Sequence, residues 1–278
     1  MTLERLIRTI LIMTARRYSI YVQRRTLLSL PLGAALLPAQ TPASTQRAFI
    51  ELRYFQLRSG RQVQRTTDYL QKGLVPACQR AGIQPVGCFN AVIAPNTPFM
   101  LTLASYPTLA AMESSREKLN ADKEFQAVAD EYNSMTELGY IRMESSLLQA
   151  FPSFPAVLPP PTGGNQAAHI FELRTYESPN DKGLARKIKM FGEGEFDIFR
   201  RLNMLPVFAG QTIVGKNMPN LTYMLAFPDL AARDKAWTAF SADPEWQKLR
   251  GSAGMADADM VINISNSIIR PLPFSPIR

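Results

Sequence analysis

The chain repeats itself at a spacing of 121 residues, and this duplication constrains its fold more than any other feature. Residues 48–157 align with residues 169–278 over 110 positions without a gap, and 22 of these positions are identical. Unrelated sequences of average composition would share roughly 6 or 7 positions over the same length. The chain therefore contains two copies of one structural module.

The second copy shows the clearest pattern of secondary structure. Its apolar residues alternate where strands are expected, and they recur every three or four residues where helices are expected. Asp229 and the pair Asp243-Pro244 are typical of helix N-termini. The predicted order is strand, helix, strand, strand, helix, strand, with these strands: Ile170–Tyr176, Leu205–Val214, Leu221–Phe227 and Met260–Ile269.

This βαββαβ order predicts an α+β fold in which helices cover one face of a ferredoxin-like sheet. The other face needs a partner, and two such sheets in one chain can cover each other. We therefore expect two tandem ferredoxin-like domains, packed sheet to sheet as a pseudo-dimer of the dimeric α/β-barrel type. The expected domains are residues 47–150 and 168–278, joined by a Pro- and Gly-rich linker at residues 151–167.

Residues 1–43 resemble a signal peptide and hold most of the positive charge. They carry six arginines and one glutamate, a net charge of +5, which leaves 8 − 5 = +3 for the rest of the chain. The pair Arg24-Arg25 precedes an apolar run of 11 residues, Leu27–Leu37, whereas a membrane span needs about 20. The pattern predicts export by a twin-arginine signal to the periplasm or the extracellular space. The alternative is membrane association through an uncleaved N-terminus.

Several classes of function are disfavoured by what the sequence lacks. Because the leader explains the excess charge, we expect no nucleic-acid binding. Cys78, Cys88 and His169 are the only cysteines and the only histidine, too few for a Cys/His zinc site. We therefore expect no metal site and no cofactor. Because the apolar run of the leader is too short to span a membrane, we also expect no stable transmembrane segment in the mature chain. The two cysteines are expected on a helix and a strand, where buried free thiols are the favoured interpretation and a disulfide between them stays open.

The first strand of each copy carries the same Glu-x-Arg pair. We expect the apolar residues that alternate with this pair to face the helices, so that the pair faces the opposite sheet. The candidate ligand-binding residues are therefore Glu51, Arg53, Glu172, Arg174 and Tyr176. Two interpretations remain open. The charges form an internal salt-bridge network, or Arg53 and Arg174 bind an anionic ligand in a polar pocket.

Glu195 occupies the helical register that Leu74 occupies in the first copy. Burial of an unpaired carboxylate in a core is costly. We therefore expect the helix to rotate or bend there and to leave Glu195 in water. The surrounding segment, residues 191–195, contains two glycines, but it lies within a helical pattern and is a poor phosphate-binding loop.

Short motifs of the second copy occur in an order that resembles the NIPSNAP domain. They are Glu172-Leu173-Arg174-Thr175-Tyr176, Gly215 and Asn220 around the central turn, Asp229-Leu230 with Arg233, and Asp243-Pro244-Glu245-Trp246. The first copy matches less completely. The resemblance covers nearly everything after the leader. It implies a dimeric α/β-barrel fold, which small monooxygenases, EthD-like proteins and haem-degrading enzymes share, and it implies no particular reaction.

The functional expectation is an exported NIPSNAP-type protein that binds a small molecule or a protein partner, because no catalytic constellation accompanies the paired charges. The alternative is a cofactor-free monooxygenase or isomerase with its site between the two sheets. In that enzyme Arg174, Tyr176 or Glu172 would stabilise charge or act as acid or base. A third interpretation is a structural protomer of a homo-oligomer.

Overall fold

The computed structural model describes residues 46–134, 137–161, 168–252 and 254–278. The predicted signal peptide, residues 1–43, lies outside the described residues, so its cleavage and its role in export stay predictions. None of the helices in the described ranges is long and apolar enough to cross a membrane.

Eight antiparallel strands form one closed barrel. The first half of the chain contributes β1 Phe49–Gln56, β2 Val86–Ile93, β3 Phe99–Tyr106 and β4 Arg142–Ala150. The second half contributes β5 Ile170–Glu177, β6 Leu205–Val214, β7 Asn220–Phe227 and β8 Asn263–Pro271. Their order around the barrel is β1-β3-β2-β8-β5-β7-β6-β4. The predicted α+β class is confirmed, and β8 begins three residues later than the sequence pattern indicates.

The two halves join through backbone hydrogen bonds at two strand junctions. β2 pairs with β8 from Phe89 to Ile93, and β4 pairs with β6 from Leu147 to Ala150. An isolated four-stranded sheet would leave unpaired backbone groups along both outer strands, and these two junctions pair part of each edge. The halves therefore share one continuous sheet around a common interior.

The helices lie outside the barrel, and each half follows the same plan. The first half contains α1 Arg61–Asp68, α2 Val75–Ala81, α3 Leu109–Ala121 and α4 Lys123–Tyr132, with a π-helical segment Tyr69–Leu74 between α1 and α2. The second half contains α5 Asp181–Met190, α6 Phe196–Arg201, α7 Leu230–Ala242, α8 Pro244–Arg250 and α9 Asp257–Met260, with a π-helical segment Phe191–Glu195 between α5 and α6. The π-helical segments occupy corresponding positions of the repeat.

Side-chain caps start the paired helices at the positions that the sequence predicted. Asp229 accepts a hydrogen bond from the backbone N–H of Ala232, and Asp243 accepts one from Trp246. Thr108 and Asp122 cap α3 and α4 of the first half in the same way. These caps satisfy N–H groups that a helix start leaves unpaired.

One apolar cluster from both halves fills one end of the barrel interior. The aromatic rings of Phe89 and Phe171 meet there edge to face, with 5.1 Å between their centroids. The cluster also includes Ile50, Leu52, Leu101, Leu103, Leu148, Leu173, Phe208, Met224 and Ile269. Because each half contributes to one core, neither half can open without exposing apolar surface of the other.

The predicted orientation of the first strands is wrong. The apolar residues of β1 and β5 point into the barrel and belong to its interior cluster: Ile50, Leu52, Phe171 and Leu173. The alternate residues, which the sequence analysis placed between the sheets, lie instead under the helices: Glu51, Arg53, Phe55, Glu172, Arg174 and Tyr176. The closed end of the barrel takes apolar side chains, whereas the arginines under the helices still reach water, with 30% exposure for Arg53 and 14% for Arg174.

The start of the predicted linker is packed against the second half. Phe151 and Phe154 are buried in the core beneath the second-half helices, and Val157 is buried in the barrel interior. The backbone N–H of Leu158 donates to the carbonyl of Val207. This stretch, which precedes β5 in the chain, therefore packs between the two halves and stabilises their contact.

We predict that Phe89→Ala lowers the free energy of unfolding by about 3–5 kcal/mol, because it leaves a cavity against Phe171 in the shared core. Leu158→Ala, at a half-exposed position, is the control and should cost less than about 1 kcal/mol. Chemical denaturation followed by circular dichroism measures both values. Two separate transitions in the Phe89 variant, one for each half, would contradict a shared core.

Candidate functional site

The Glu51 carboxylate lies buried under α3 and is neutralised by cations. Arg53 and Arg116 approach its Oε1 atom at 2.8 and 3.0 Å. The hydroxyls of Tyr106 and Ser145 each donate to it at 3.3 Å. Burial and the charge of Glu51 raise the pKa of Tyr106, which therefore stays a hydrogen-bond donor.

Glu172 is the corresponding carboxylate of the second half, and its side chain is fully buried. It accepts hydrogen bonds from Arg174 at 2.8 Å, from Arg233 at 2.7 and 2.8 Å, from the indole of Trp237 at 2.6 Å and from Asn266 at 2.7 Å. Burial alone would raise its pKa, but the hydrogen bonds from Arg233 and Trp237 and the charge of Arg174 hold the pKa below the usual range. Glu172 is therefore ionised.

The two carboxylates recruit helical cations from different positions of the repeat. Arg116 in α3 corresponds to Trp237 in α7, while Arg233 in α7 corresponds to Met112, one helical turn earlier in α3. Both arrangements tie the first strand of a half to the helix that crosses it. This geometry supports the salt-bridge interpretation of the Glu-x-Arg pairs, and binding of a ligand by these residues stays a prediction.

Glu195 lies in the core of the second half, so the expectation that it remains in water is wrong. Its Oε2 atom is 3.1 Å from Nζ of Lys187, and the two side chains are only 2% and 1% exposed. Gly194 has a φ of 153° within the π-helical segment, where the helix bends. Lys187 from α5 supplies the charge that makes burial tolerable. In the first half the equivalent positions are Thr66 and Leu74, so the pair is specific to the second half.

Tyr176 belongs to a buried polar chain rather than to an open pocket. Its hydroxyl is 2.8 Å from that of Tyr223, and Nε of Arg174 donates to it at 3.3 Å. Burial raises the pKa of Tyr223 well above its ordinary value. The Arg174 guanidinium stacks over Trp237 at 4.6 Å. Predicted site residues Glu172, Arg174 and Tyr176 are therefore brought together, but in a packed environment.

A cavity of about 230 Å³ opens at the mouth of the barrel, where Leu52 and Phe99 of the apolar cluster meet polar side chains. We call it the barrel-mouth cavity. It lies where β1, β2, β5 and β6 end and the other four strands begin. Its lining comes from both halves: Leu52, Tyr54, Gln56, Pro95, Asn96, Phe99, Arg142, Glu144, Ser146, Thr175, Thr212, Lys216, Asn217, Asn220, Thr222, Ser265 and Ser267.

The two halves line this cavity with different chemistry. The first half provides the two aromatic rings of the lining, Tyr54 and Phe99, which lie 5.3 Å apart between centroids, together with polar and charged side chains. The second half provides hydroxyl and amide groups, and the positions equivalent to Tyr54 and Phe99 are Thr175 and Asn220. The cavity therefore combines an aromatic surface from the first half with hydrogen-bonding groups from both halves.

Part of the polar wall is organised by its own hydrogen bonds. The hydroxyls of Thr175 and Thr222 are 2.8 Å apart, and Thr212 donates to the Asn220 side chain at 2.5 Å. At the rim, Glu144 forms ion pairs with Arg142, at 3.1 Å, and with Lys216. These contacts preorganise the wall.

Other hydroxyls of the cavity have no partner within the described ranges. Those of Tyr54, Ser146, Ser265 and Ser267 form no hydrogen bond to another described residue. Burial raises the pKa of Tyr54, so its hydroxyl remains a donor. These four groups can therefore bind a ligand without breaking an existing bond.

The sequence analysis missed the barrel-mouth cavity because it assigned the wrong face to the strands. With the correct orientation, Thr175 and Ser267 lie on the same face of their strands as the interior residues Leu173 and Ile269. In the sequence, polar residues that continue the interior face near the end of a strand were the pattern that could have indicated this cavity.

Cysteine or metal chemistry has little support in the described part of the chain. No group of three or more His, Cys, Asp or Glu side chains with metal-binding geometry occurs among the described residues. Cys78 and Cys88 lie on α2 and β2, the helix and the strand that the sequence predicted for them, and both are buried free thiols. Burial raises the pKa of Cys78 to about 11, so its thiol is a poor nucleophile at neutral pH.

Comparison with known proteins bears out the family resemblance seen in the sequence. Residues 50–154 and residues 171–276 each match the NIPSNAP family. No curated protein matches the chain significantly. A solved NIPSNAP-like domain protein from Burkholderia xenovorans is 22% identical, with a TM-score of 0.35, and the match covers 39% of this chain and 90% of that one.

Longer solved structures are similar to nearly the whole described region. A candidate monooxygenase from Fusobacterium nucleatum has a TM-score of 0.52 at 10% identity, covering 81% of this chain and 93% of that one. Another from Lactobacillus acidophilus has a TM-score of 0.53 at 8% identity, covering 81% and 94%. At such low identity the likeness concerns the fold alone.

We predict that Glu172→Gln lowers the free energy of unfolding at neutral pH by about 3–5 kcal/mol, because Arg174 and Arg233 lose their buried counter-charge. The folded-state pKa of Glu172 lies below its unfolded value. The stabilisation is therefore complete above the ordinary carboxyl range and is lost as pH falls through the folded-state pKa.

Denaturation of wild type and variant between pH 7 and about pH 2 tests this prediction, and the difference between them should shrink below about pH 4. Glu193→Gln, at an exposed ion pair on the same half, is the matched control and should change stability by about 0.5 kcal/mol or less. A difference that grows in acid would show that Glu172 is not held ionised.

Proposed function

The chain belongs to the NIPSNAP family, and we propose that it is an exported member that binds a small molecule in the barrel-mouth cavity. One observation carries the proposal. Four hydroxyls that have no protein partner in the described chain, those of Tyr54, Ser146, Ser265 and Ser267, line one cavity of about 230 Å³ together with the ring of Phe99. Binding sites typically combine an apolar lining with a few polar groups that set orientation.

The proposed ligand is compact and two-sided. A volume of about 230 Å³ is below the range of about 300–1,000 Å³ that is usual for drug-sized ligands. An apolar ring or short chain would contact Tyr54 and Phe99, and hydroxyl or carbonyl groups would bond to Ser265 and Ser267. The cations Arg142 and Lys216 at the rim outnumber Glu144, which favours a neutral or singly anionic molecule.

We also propose that the barrel is a fused dimer of two ferredoxin-like units. The order of neighbouring strands is β4-β1-β3-β2 in the first half and β8-β5-β7-β6 in the second, so each half repeats one arrangement. The NIPSNAP matches divide the chain at the same place. Fusion lets the two halves diverge, which accounts for the aromatic and polar walls of the cavity.

An enzyme that uses Glu172, Arg174 and Tyr176 is the less favoured function. The carboxylate accepts hydrogen bonds from two arginines, a tryptophan and an asparagine, so it is a weak base. Tyr176 bonds to Tyr223 inside a packed core. The solved candidate monooxygenases support the fold and carry no assignment of chemistry to this chain.

Titration calorimetry with a panel of small probes tests binding. The panel contains benzoate, phenol, benzyl alcohol, glycerol and acetate, which separate the apolar face from the polar groups. We predict that ring-containing probes with one polar group bind best. Ser267→Ala should weaken such a probe about 3- to 10-fold, the usual effect of one hydrogen bond.

Ser145→Ala is the matched control, because Ser145 lies on the outer face of β4, away from the cavity, and donates to Glu51 instead. It should leave the affinity unchanged. Equal losses for the two serine variants, or no binding of any probe by a folded chain, would contradict the barrel-mouth site.

The export proposal rests on the pair Arg24-Arg25 and the apolar run that follows it. Replacing both arginines by lysine should retain the uncleaved precursor in the cytoplasm of a bacterium with a twin-arginine pathway. Cell fractionation and N-terminal sequencing of the product measure this. Export that persists in the double variant would contradict the twin-arginine route, and a full-length product in the membrane fraction would favour an uncleaved anchor.

A further inference from the structure

The barrel leaves two strand segments unpaired along one edge at its mouth. β8 pairs with β5 along Asn263–Ile269, but its pairing with β2 stops at Ile268. β4 pairs with β1 along most of its length, but its pairing with β6 begins only at Leu147. Residues 263–267 of β8 and 142–146 of β4 therefore each have one edge with no strand partner in the described chain. The two segments are equivalent in the repeat.

Ion pairs lie beside the unpaired edge of β4, at residues 142–146. Glu144 bonds to Lys216, which lies in the loop after β6, and so it bridges the gap beside the unpaired segment. Arg142 joins the same carboxylate at 3.1 Å. Charged side chains on an open edge are a common protection against pairing with another chain.

The β8 edge carries none of these charges. The positions equivalent to Arg142, Glu144 and Lys216 are Asn263, Ser265 and Pro95. Residues 261–269 carry no charged side chain and are rich in isoleucine, a composition that favours pairing between strands. The segment is also exposed, since its first four residues all lie open to solvent.

Apolar side chains flank this uncharged edge. Ile262 and Ile264 on the β8 side are 64% and 48% exposed, and Val92 and Ile93 at the end of β2 are 39% and 59% exposed. All four lie where the β2–β8 junction ends, so they extend an interface that already joins the two halves. An exposed group of this kind at an open strand edge indicates a protein contact.

We propose that the β8 edge pairs with the same edge of a second copy of this chain. Two identical edges can pair antiparallel about a twofold axis, and such a closed contact uses one surface twice. The free segment is symmetric about Ser265, which would lie opposite its counterpart, with Ile264 opposite Asn266 of the other copy. No charge would face a like charge in this arrangement, whereas two β4 edges would bring their ion pairs together.

The proposed contact joins two barrels side by side at their mouths and leaves each cavity complete. Ile264 lies on the outer face of β8, and the cavity-lining residues Ser265 and Ser267 lie on the inner face. Dimer formation is therefore separate from ligand binding, and either proposal can fail without the other.

Sedimentation velocity of the full chain over a range of concentrations tests the proposal. The wild type should sediment as a species of twice the 31.1 kDa of one chain. Ile264→Lys should weaken dimerisation at least about tenfold, because it replaces an apolar contact and places two lysines at diagonal positions on the same face of the paired strands. Met143→Lys is the matched control, since Met143 is the equivalent residue on the β4 edge, and it should leave the dimer intact.

Hydrogen exchange of the backbone amides is a second measurement of dimerisation, and it does not depend on the Ile264→Lys variant. Alternate amides of residues 263–267 should be protected at high concentration and exchange rapidly on dilution, while those of 142–146 should not change with concentration. Ile262→Glu, checked for folding by circular dichroism, should act like Ile264→Lys. A monomeric wild type at all concentrations, or a dimer lost in Met143→Lys but kept in Ile264→Lys, would overturn the proposal.

Discussion

Hydrogen bonding between β2 and β8 and between β4 and β6 is the constraint on which the rest of the molecule depends. Each half alone would expose two strand edges and the apolar face of its sheet. Closure pairs part of those edges and encloses Phe89 and Phe171 in one interior, so backbone and apolar groups leave water together. Every later feature, from the charged clusters under the helices to the barrel-mouth cavity, follows from which face of each strand became the inside.

Buried charge is handled differently in the two halves, and the difference shows how a duplicated module diverges. Both retain a carboxylate on the first strand, yet Arg116 approaches Glu51 and Arg233 approaches Glu172 from positions one helical turn apart. The second half adds the Lys187–Glu195 pair, where the first half has uncharged residues. Such networks are expensive to break and can be close to neutral in net stability, so they restrict the packing of helix on sheet more than they strengthen it.

Asymmetry between the halves also creates the features that bear on function. Tyr54 and Phe99 give the cavity an aromatic surface in the first half. The equivalent residues of the second half, Thr175 and Asn220, are polar. The same divergence leaves ion pairs beside β4 and an uncharged edge on β8. A symmetric dimer of identical units would have two equal walls and two equal edges, so fusion of the copies is what permits one binding surface of mixed chemistry and one edge open to pairing.

The sequence by itself determined the duplication, the βαββαβ order and the helix starts at Asp229 and Asp243, because these depend on local periodicity and capping. It also indicated the family through motifs that occur in order. Only the tertiary structure decided which face of β1 and β5 lies inside the barrel. An alternating strand has two faces, and here both are buried, so the pattern cannot say whether helices or the interior cover the apolar one. For the same reason only the fold could show that Glu195 meets Lys187 and that polar strand ends meet in a cavity.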